Sequence, residues 1–182
     1  MSDQPRRSFL KLCIHGMGAL FTAILGIPAV AYLIDARNRP PRKAGFRPVD
    51  GIRLTELLQG QPRQGVIRDV RQDAWTLHPN DVVGRVWVVR QGTRTSDVRV
   101  FTTICPHLGC SINCNADASF TCPCHGAEFT EQGTLVSRPG HNNPAPRDMD
   151  TLEFQVDPNN PDLLLVDYKN FRQGAHEKIA KT

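Results

Sequence analysis

Cys105-Pro106-His107-Leu108-Gly109-Cys110 and Cys122-Pro123-Cys124-His125-Gly126 decide how this chain is read. Each segment offers one Cys and one His to a common site, Cys105 with His107 and Cys122 with His125, and each carries a further cysteine, Cys110 or Cys124. The two pairs start at positions 105 and 122, 17 residues apart, so two adjacent loops can close on a metal group from both sides. Several chemistries use such donors. Two thiolates and two imidazoles can hold tetrahedral zinc, but a zinc site gives Cys110 and Cys124 no part. A c-type haem needs C-x-x-C-H, whereas the chain has only C-P-C-H. A pure disulfide scaffold would pair all six cysteines and leave both histidines unexplained. A [2Fe–2S] centre with two thiolates on one iron and two imidazoles on the other uses the four donors directly.

From Phe101 to Pro146 the chain resembles the Rieske iron–sulfur subunits of cytochrome bc complexes, with C-P-H-L-G-C and C-P-C-H-G in place of that family's two cluster-binding loops. The resemblance implies a [2Fe–2S] cluster with Cys105 and Cys122 as thiolate ligands and His107 and His125 as imidazole ligands. It also implies a disulfide between Cys110 and Cys124, cysteines that the related oxygenase ferredoxins usually lack. Asn143-Pro144-Ala145-Pro146 resembles the family's cluster-covering G-P-A-P loop, with Asn143 as a departure at its first position. By the same resemblance His125 meets the quinol, His107 is the other exposed ligand, and Leu108, Pro144 and Pro146 form an apolar rim that docks on a cytochrome b subunit.

Upstream, Leu12 to Ile34 carries no charge and can cross a hydrocarbon core of about 30 Å as a single helix. Pro5-Arg6-Arg7-Ser8-Phe9-Leu10-Lys11 matches the R-R-x-F-L-K core of a twin-arginine export signal, although Pro5 replaces the usual Ser or Thr. That route carries folded proteins, as a domain that assembles its cluster before export requires. The apolar run is long for a cleaved signal, so it is expected to remain as an anchor despite the Ala29-Val30-Ala31 stretch. Arg37, Arg39, Arg42 and Lys43 put positive charge on the far flank as well, against the usual bias. The export signal outranks that count, and a Cys110–Cys124 disulfide also needs an oxidising compartment. The expected location is the bacterial cytoplasmic (inner) membrane, single-pass, with the cluster domain on the periplasmic side.

The expected organisation is residues 1–11 as the export signal, 12–34 as the anchor, 35–50 as an extended, charged and proline-bearing hinge, and 51–182 as the cluster domain. The net charge of +4, 22 Lys and Arg against 18 Asp and Glu, gathers around the apolar run. This is a membrane-flank pattern without the aromatic-studded basic face that binds nucleic acid. Residues 85–90, 98–104, 119–121, 152–156 and 163–168 read as strands, the last two as a hairpin, and only Leu54 to Gln59 reads as briefly helical. The fold class is therefore mainly β: an N-terminal transmembrane helix plus an antiparallel β-sandwich with the cluster loops at one tip. The tail after Phe171 is polar and expected to fray. His15, His78, His141 and His176 lie outside any ligand pattern, Cys13 reads as an apolar helix residue, and Cys114 is left as an odd thiol.

The functional expectation is an electron-transfer subunit of a quinol:cytochrome c oxidoreductase, enzymatic only within its complex, which is expected to be dimeric. It takes an electron from quinol beside cytochrome b and passes it to a c-type cytochrome. The alternative is the Rieske small subunit of an exported molybdenum oxidase such as arsenite oxidase. The resembled family often continues its second loop as C-P-C-H-G-S-x-Y, with Ser and Tyr hydroxyls donating to sulfur; here those positions are Ala127 and Phe129. Missing donors leave the reduced cluster less stabilised, which points to a low-potential quinol such as menaquinol.

Overall fold

The computed structural model describes residues 4–38, 45–72, 76–140 and 142–181. The chain divides into a helical unit and a β unit. Helix α1, Gln4–Asn38, contains the whole run expected as an anchor; its segment Arg6–Ile34 is long and apolar enough to cross a membrane, and none of it is buried. Pro28 lies within it and removes one intrahelical hydrogen bond.

The expected 35–50 hinge is corrected at both ends. Residues 35–38, Asp-Ala-Arg-Asn, contain no proline or glycine and complete α1, and Phe46–Asp50 is strand β1. Residues 39–44 lie outside the described residues. In β1, Phe46, Arg47 and Pro48 pair with one neighbouring strand and Val49 and Asp50 with another, so a segment read as linker joins two parts of a sheet. The β domain thus opens at Phe46 rather than Gly51.

Strands β2 (Arg63–Gln72), β3 (Leu77–Arg90), β4 (Val98–Thr102), β5 (Asn113–Cys114), β6 (Phe120–Cys122), β7 (Ala127–Phe129), β8 (Glu153–Asp157) and β9 (Asn160–Asp167) complete the domain. They form a six-stranded antiparallel sheet in the order β4-β3-β2-β1-β9-β8 and a three-stranded sheet β5-β6-β7. The expected strands all appear, four with ends shifted by one to three residues and the one expected at 85–90 extended back to Leu77; the Leu54 to Gln59 helix shrinks to one 3₁₀ turn, Leu54–Glu56.

The small sheet lies where it does because β3 and β4 are apolar on both faces. Val86 and Val88 enter one core with Val49, Ile67, Val98, Val100, Leu164 and Val166. Their neighbours Trp87 and Val89, with Phe101 of β4, point the other way into a second core with Cys105, Ile112, Phe120, Cys122, Ala127 and Phe129. With side chains alternating along each strand, a run such as Val86-Trp87-Val88-Val89 belongs in a sheet covered on both sides. Trp87 donates its indole N–H to Ile112 O at 3.0 Å, and Phe120 meets Trp87 and Phe101 at ring separations of 5.7 and 6.1 Å. The second core thereby fixes both segments quoted at the outset.

Candidate metal centre

Both segments fold into the same turn. In each, a buried Cys followed by Pro starts the loop, and a glycine four residues later turns back to it: Gly109 N–H donates to Cys105 O at 3.0 Å and Gly126 N–H to Cys122 O at 3.0 Å. The φ angles of Gly109 and Gly126, +87° and +72°, lie in the left-handed region that glycine enters freely. The Cys-Pro-x-x-Gly spacing is therefore a backbone requirement as well as a ligand pattern.

A disulfide joins Cys110 to Cys124 and ties the loops together. The Sγ atoms of Cys110, Cys122 and Cys124 lie within 4.8 Å of one another, but two of them are spent in that bond, so the trio is no metal site by itself. Cys105 and Cys122 are free and buried. Burial pushes the Cys105 thiol up to about 12; the Cys122 thiol beside it pushes the same way, while backbone N–H groups of His107 and Leu108 donate to its sulfur and pull it back. A thiol held in this way surrenders its proton to a cation far more readily than to solvent.

The rings of His107 and His125 meet edge to face with centroids 4.8 Å apart. His107 is half-buried, and its Nδ1 is buried with no hydrogen-bond partner. An orphaned buried ring nitrogen is costly, and coordination is one way to satisfy it. His125 is exposed at the tip, as are Pro123, Cys124 and Gly126, and Leu108 is 64% exposed beside His107. Two buried thiols, an unpartnered buried imidazole nitrogen and an adjacent histidine form the mixed sulfur and nitrogen donor set that a [2Fe–2S] cluster of the Rieske type takes, so the residues fit that group.

The proline loop sits against the second strand hairpin. Ala145 is buried, Pro144 and Pro146 are half-buried, and Asn143 does more than replace a glycine. Its Nδ2 donates to Glu128 O at 2.7 Å and Val136 O at 3.3 Å, and its Oδ1 accepts from Ala145 N–H at 3.2 Å. The departure from the expected motif is a fastening of that loop to β7. Ala127 and Phe129 are fully buried in β7 and carry no hydroxyl. Cys114 packs in β5 with its Sγ donating to Asn115 O at 3.3 Å; burial, then Asp117, pushes its thiol up, the opposite of an activated cysteine.

One expectation is overturned here. The tail beyond Phe171 does not fray: Gly174 N–H donates to Pro106 O at 2.9 Å, and His176 Nδ1 lies 3.1 Å from Pro146 O. Such contacts use backbone carbonyls and glycine, which leave no hydrophobic period in a sequence. Arg147 and Asp150, a buried ion pair at 2.7 Å, were equally silent there. His15 stands in α1 and His78 in β3, while His141 falls outside the described residues.

Comparison with known proteins agrees with this geometry. The model of the Rieske [2Fe-2S] domain matches residues 64–156. The chain is 29% identical over 150 residues to the menaquinol:cytochrome c reductase iron-sulfur subunit of Bacillus subtilis, covering 80% of this chain and 84% of the relative. It is also 29% identical to the subunit of that name from Geobacillus thermodenitrificans, over 86% of this chain and 90% of the relative. A cytochrome b6-f complex iron-sulfur subunit from Chlorobaculum thiosulfatiphilum is 31% identical, over 75% of this chain and 65% of the relative.

Proposed function

The chain belongs to the Rieske [2Fe-2S] family, and from that premise we propose that it is the membrane-anchored electron-transfer subunit of a quinol:cytochrome c oxidoreductase. The observation that carries the reading is the pair of matched loops, stapled by Cys110–Cys124, that bring two buried thiols together and two histidine rings to 4.8 Å. Cys105, His107, Cys122 and His125 are the ligands in this reading, with His107 coordinating through Nδ1. When bound, the cluster supplies a one-electron acceptor whose imidazole ligands raise its potential above that of an all-thiolate one.

The chain's own residues supply the rest. Coordination through one ring nitrogen leaves the other for proton exchange, and exposed His125 is placed to accept a quinol hydroxyl's hydrogen bond and then its proton. Leu108, exposed and next in sequence to His107, gives the tip an apolar contact for a cytochrome b surface, with half-buried Pro144 and Pro146 as the rest of the rim. Backbone donors from His107 and Leu108 to the Cys105 sulfur favour the more negative, reduced state, while Ala127 and Phe129 add none. The balance lies on the low side of the Rieske range, about −150 to +300 mV, which suits menaquinol. The relatives named for menaquinol:cytochrome c reductase support the same choice.

α1 is the single-pass anchor; in this reading Arg6 and Arg7 belong to a twin-arginine signal, the head stands on the periplasmic side of a bacterial inner membrane, and a c-type cytochrome takes the electron within a dimeric complex. Purification from membranes tests this. The chain is expected to co-purify with b- and c-type cytochromes and to sustain menaquinol oxidation faster than ubiquinol oxidation. Co-purification with a soluble molybdenum enzyme instead would move the chain to that class of partner.

A further inference from the structure

The segment 171–181 is closed on itself. Phe171 bridges Ala180, Arg172 N–H donates to Ile179 O at 2.8 Å, and Lys181 N–H to Asn170 O at 2.7 Å. Lys178 Nζ lies 4.8 Å from the Phe171 ring centroid and donates to Thr151 O at 2.6 Å, while Lys181 Nζ donates to Gln173 Oε1 at 2.7 Å. Three contacts then join this closed segment to the tip. Gly174 N–H holds Pro106 O, the carbonyl immediately before His107, and His176 reaches Pro146 O in the proline loop. The third is Arg147, next in sequence to Pro146, whose guanidinium grips Asp150 at 2.9 and 2.7 Å while donating to the carbonyls of Arg172, at 3.0 Å, and Ala175.

We propose that this C-terminal strap positions His107 and the Pro144–Pro146 loop as one unit, with Arg147 as the positioning residue that locks it. The inference rests on the reading of His107 as a cluster ligand. A peptide plane is shared by Pro106 and His107, so a donor fixed on Pro106 O restrains rotation of that plane and with it the direction of the His107 ring. Arg147 is suited to its place because a planar guanidinium serves a carboxylate and two carbonyls at once. Its side chain and that of Asp150 are 10% and 4% exposed, so the charge is matched within the fold rather than by solvent.

The test uses the full-length chain in its own membranes, compared with Arg147→Lys and with a chain ending at Gln173, which keeps the buried Phe171 but removes Gly174 and His176. Arg147→Lys keeps the charge opposite Asp150 and loses the fork, so it remains informative if the shortened chain fails to fold. Both variants are expected to retain a cluster with an altered electron paramagnetic resonance line shape and a shifted midpoint potential. Iron loss to a chelator should quicken by about tenfold or more, the usual consequence of removing support behind a metal ligand. Unchanged line shape, potential and iron-loss rate in Arg147→Lys would overturn the proposal. A wild-type chain without any Rieske signal would instead remove the ligand reading beneath it.

Discussion

The loop from Cys105 to Cys110 and the loop from Cys122 to Gly126 both begin Cys-Pro and both close on a left-handed glycine, yet they are supported differently. The first is held within by Cys105 N–H to Cys110 O at 2.7 Å, behind by Ile112 N–H to Thr103 O at 2.7 Å, and from outside by Gly174. The second is the connection of one short hairpin, β6 to β7, with four consecutive residues, Pro123 to Gly126, exposed. Equal backbones therefore present unequal histidines: His107 half-buried with an orphaned Nδ1, His125 open to a partner. The braced loop can hold a ligand still while the open one meets a substrate, a division that two identical environments could not provide.

Removing the brace should separate the loops most. Arg147→Ala leaves Asp150 charged and buried without its partner, and loss of one member of such a pair costs about 3–5 kcal/mol. Chemical denaturation reads that loss, and hydrogen exchange is expected to rise across 105–110 more than across 122–126. Equal rises in both loops would break the comparison. Next in size, Cys110→Ser with Cys124→Ser removes the staple shared by both loops; with a separation of 14 residues the expected loss is about 3 kcal/mol. Here the two loops should loosen together, and a melting experiment with exchange mapping distinguishes this from the one-sided effect of Arg147→Ala.

Asn143→Ala should act on the side of the second loop, since its amide bonds Glu128 O between Ala127 and Phe129. The loss is about 1–3 kcal/mol, and exchange in β7 should rise while 105–110 stays protected. The smallest effect is electronic. Ala127→Ser with Phe129→Tyr restores the two hydroxyls that the resembled family carries. The midpoint potential should rise by about 60 mV for each donor that reaches sulfur, equivalent to ~1.4 kcal/mol for one electron. A redox titration that finds no rise, with the cluster intact, would remove the physical basis for the menaquinol assignment.

The difference between the loops also marks what a sequence can carry. Cys105, His107, Cys122 and His125 stood out as two spaced Cys and His pairs, and the fold brings them together at one tip, whereas the left-handed turns at Gly109 and Gly126 were not read from the sequence. The end of β3 was legible from the apolar run Val86-Trp87-Val88-Val89, which a sheet covered on both faces requires, and β4 from its β-branched and aromatic residues, while the polar start of β3 from Leu77 was not. Strand β2 was not: within Arg63-Gln64-Gly65-Val66-Ile67-Arg68-Asp69-Val70 only Gly65 and Ile67 are buried, Val66 is half-buried, and the stretch reads as polar. Strand β1 hid behind Pro48, since a proline argues against a central strand, yet β1 changes partner next to it. The strap was invisible for a different reason: its contacts run through carbonyls, a glycine N–H and long charged side chains, which follow no period.

In the proposed reading Cys105, His107, Cys122 and His125 together hold a [2Fe–2S] cluster in these two loops. Electron paramagnetic resonance of the reduced full-length chain in membranes, grown with ¹⁵N-labelled histidine and compared with His107→Ala and His125→Ala, tests it most directly. A Rieske signal coupled to two histidine nitrogens is expected in the wild-type chain, with loss of that signal in each variant. A colourless wild-type protein, or either variant retaining the full signal, would contradict it.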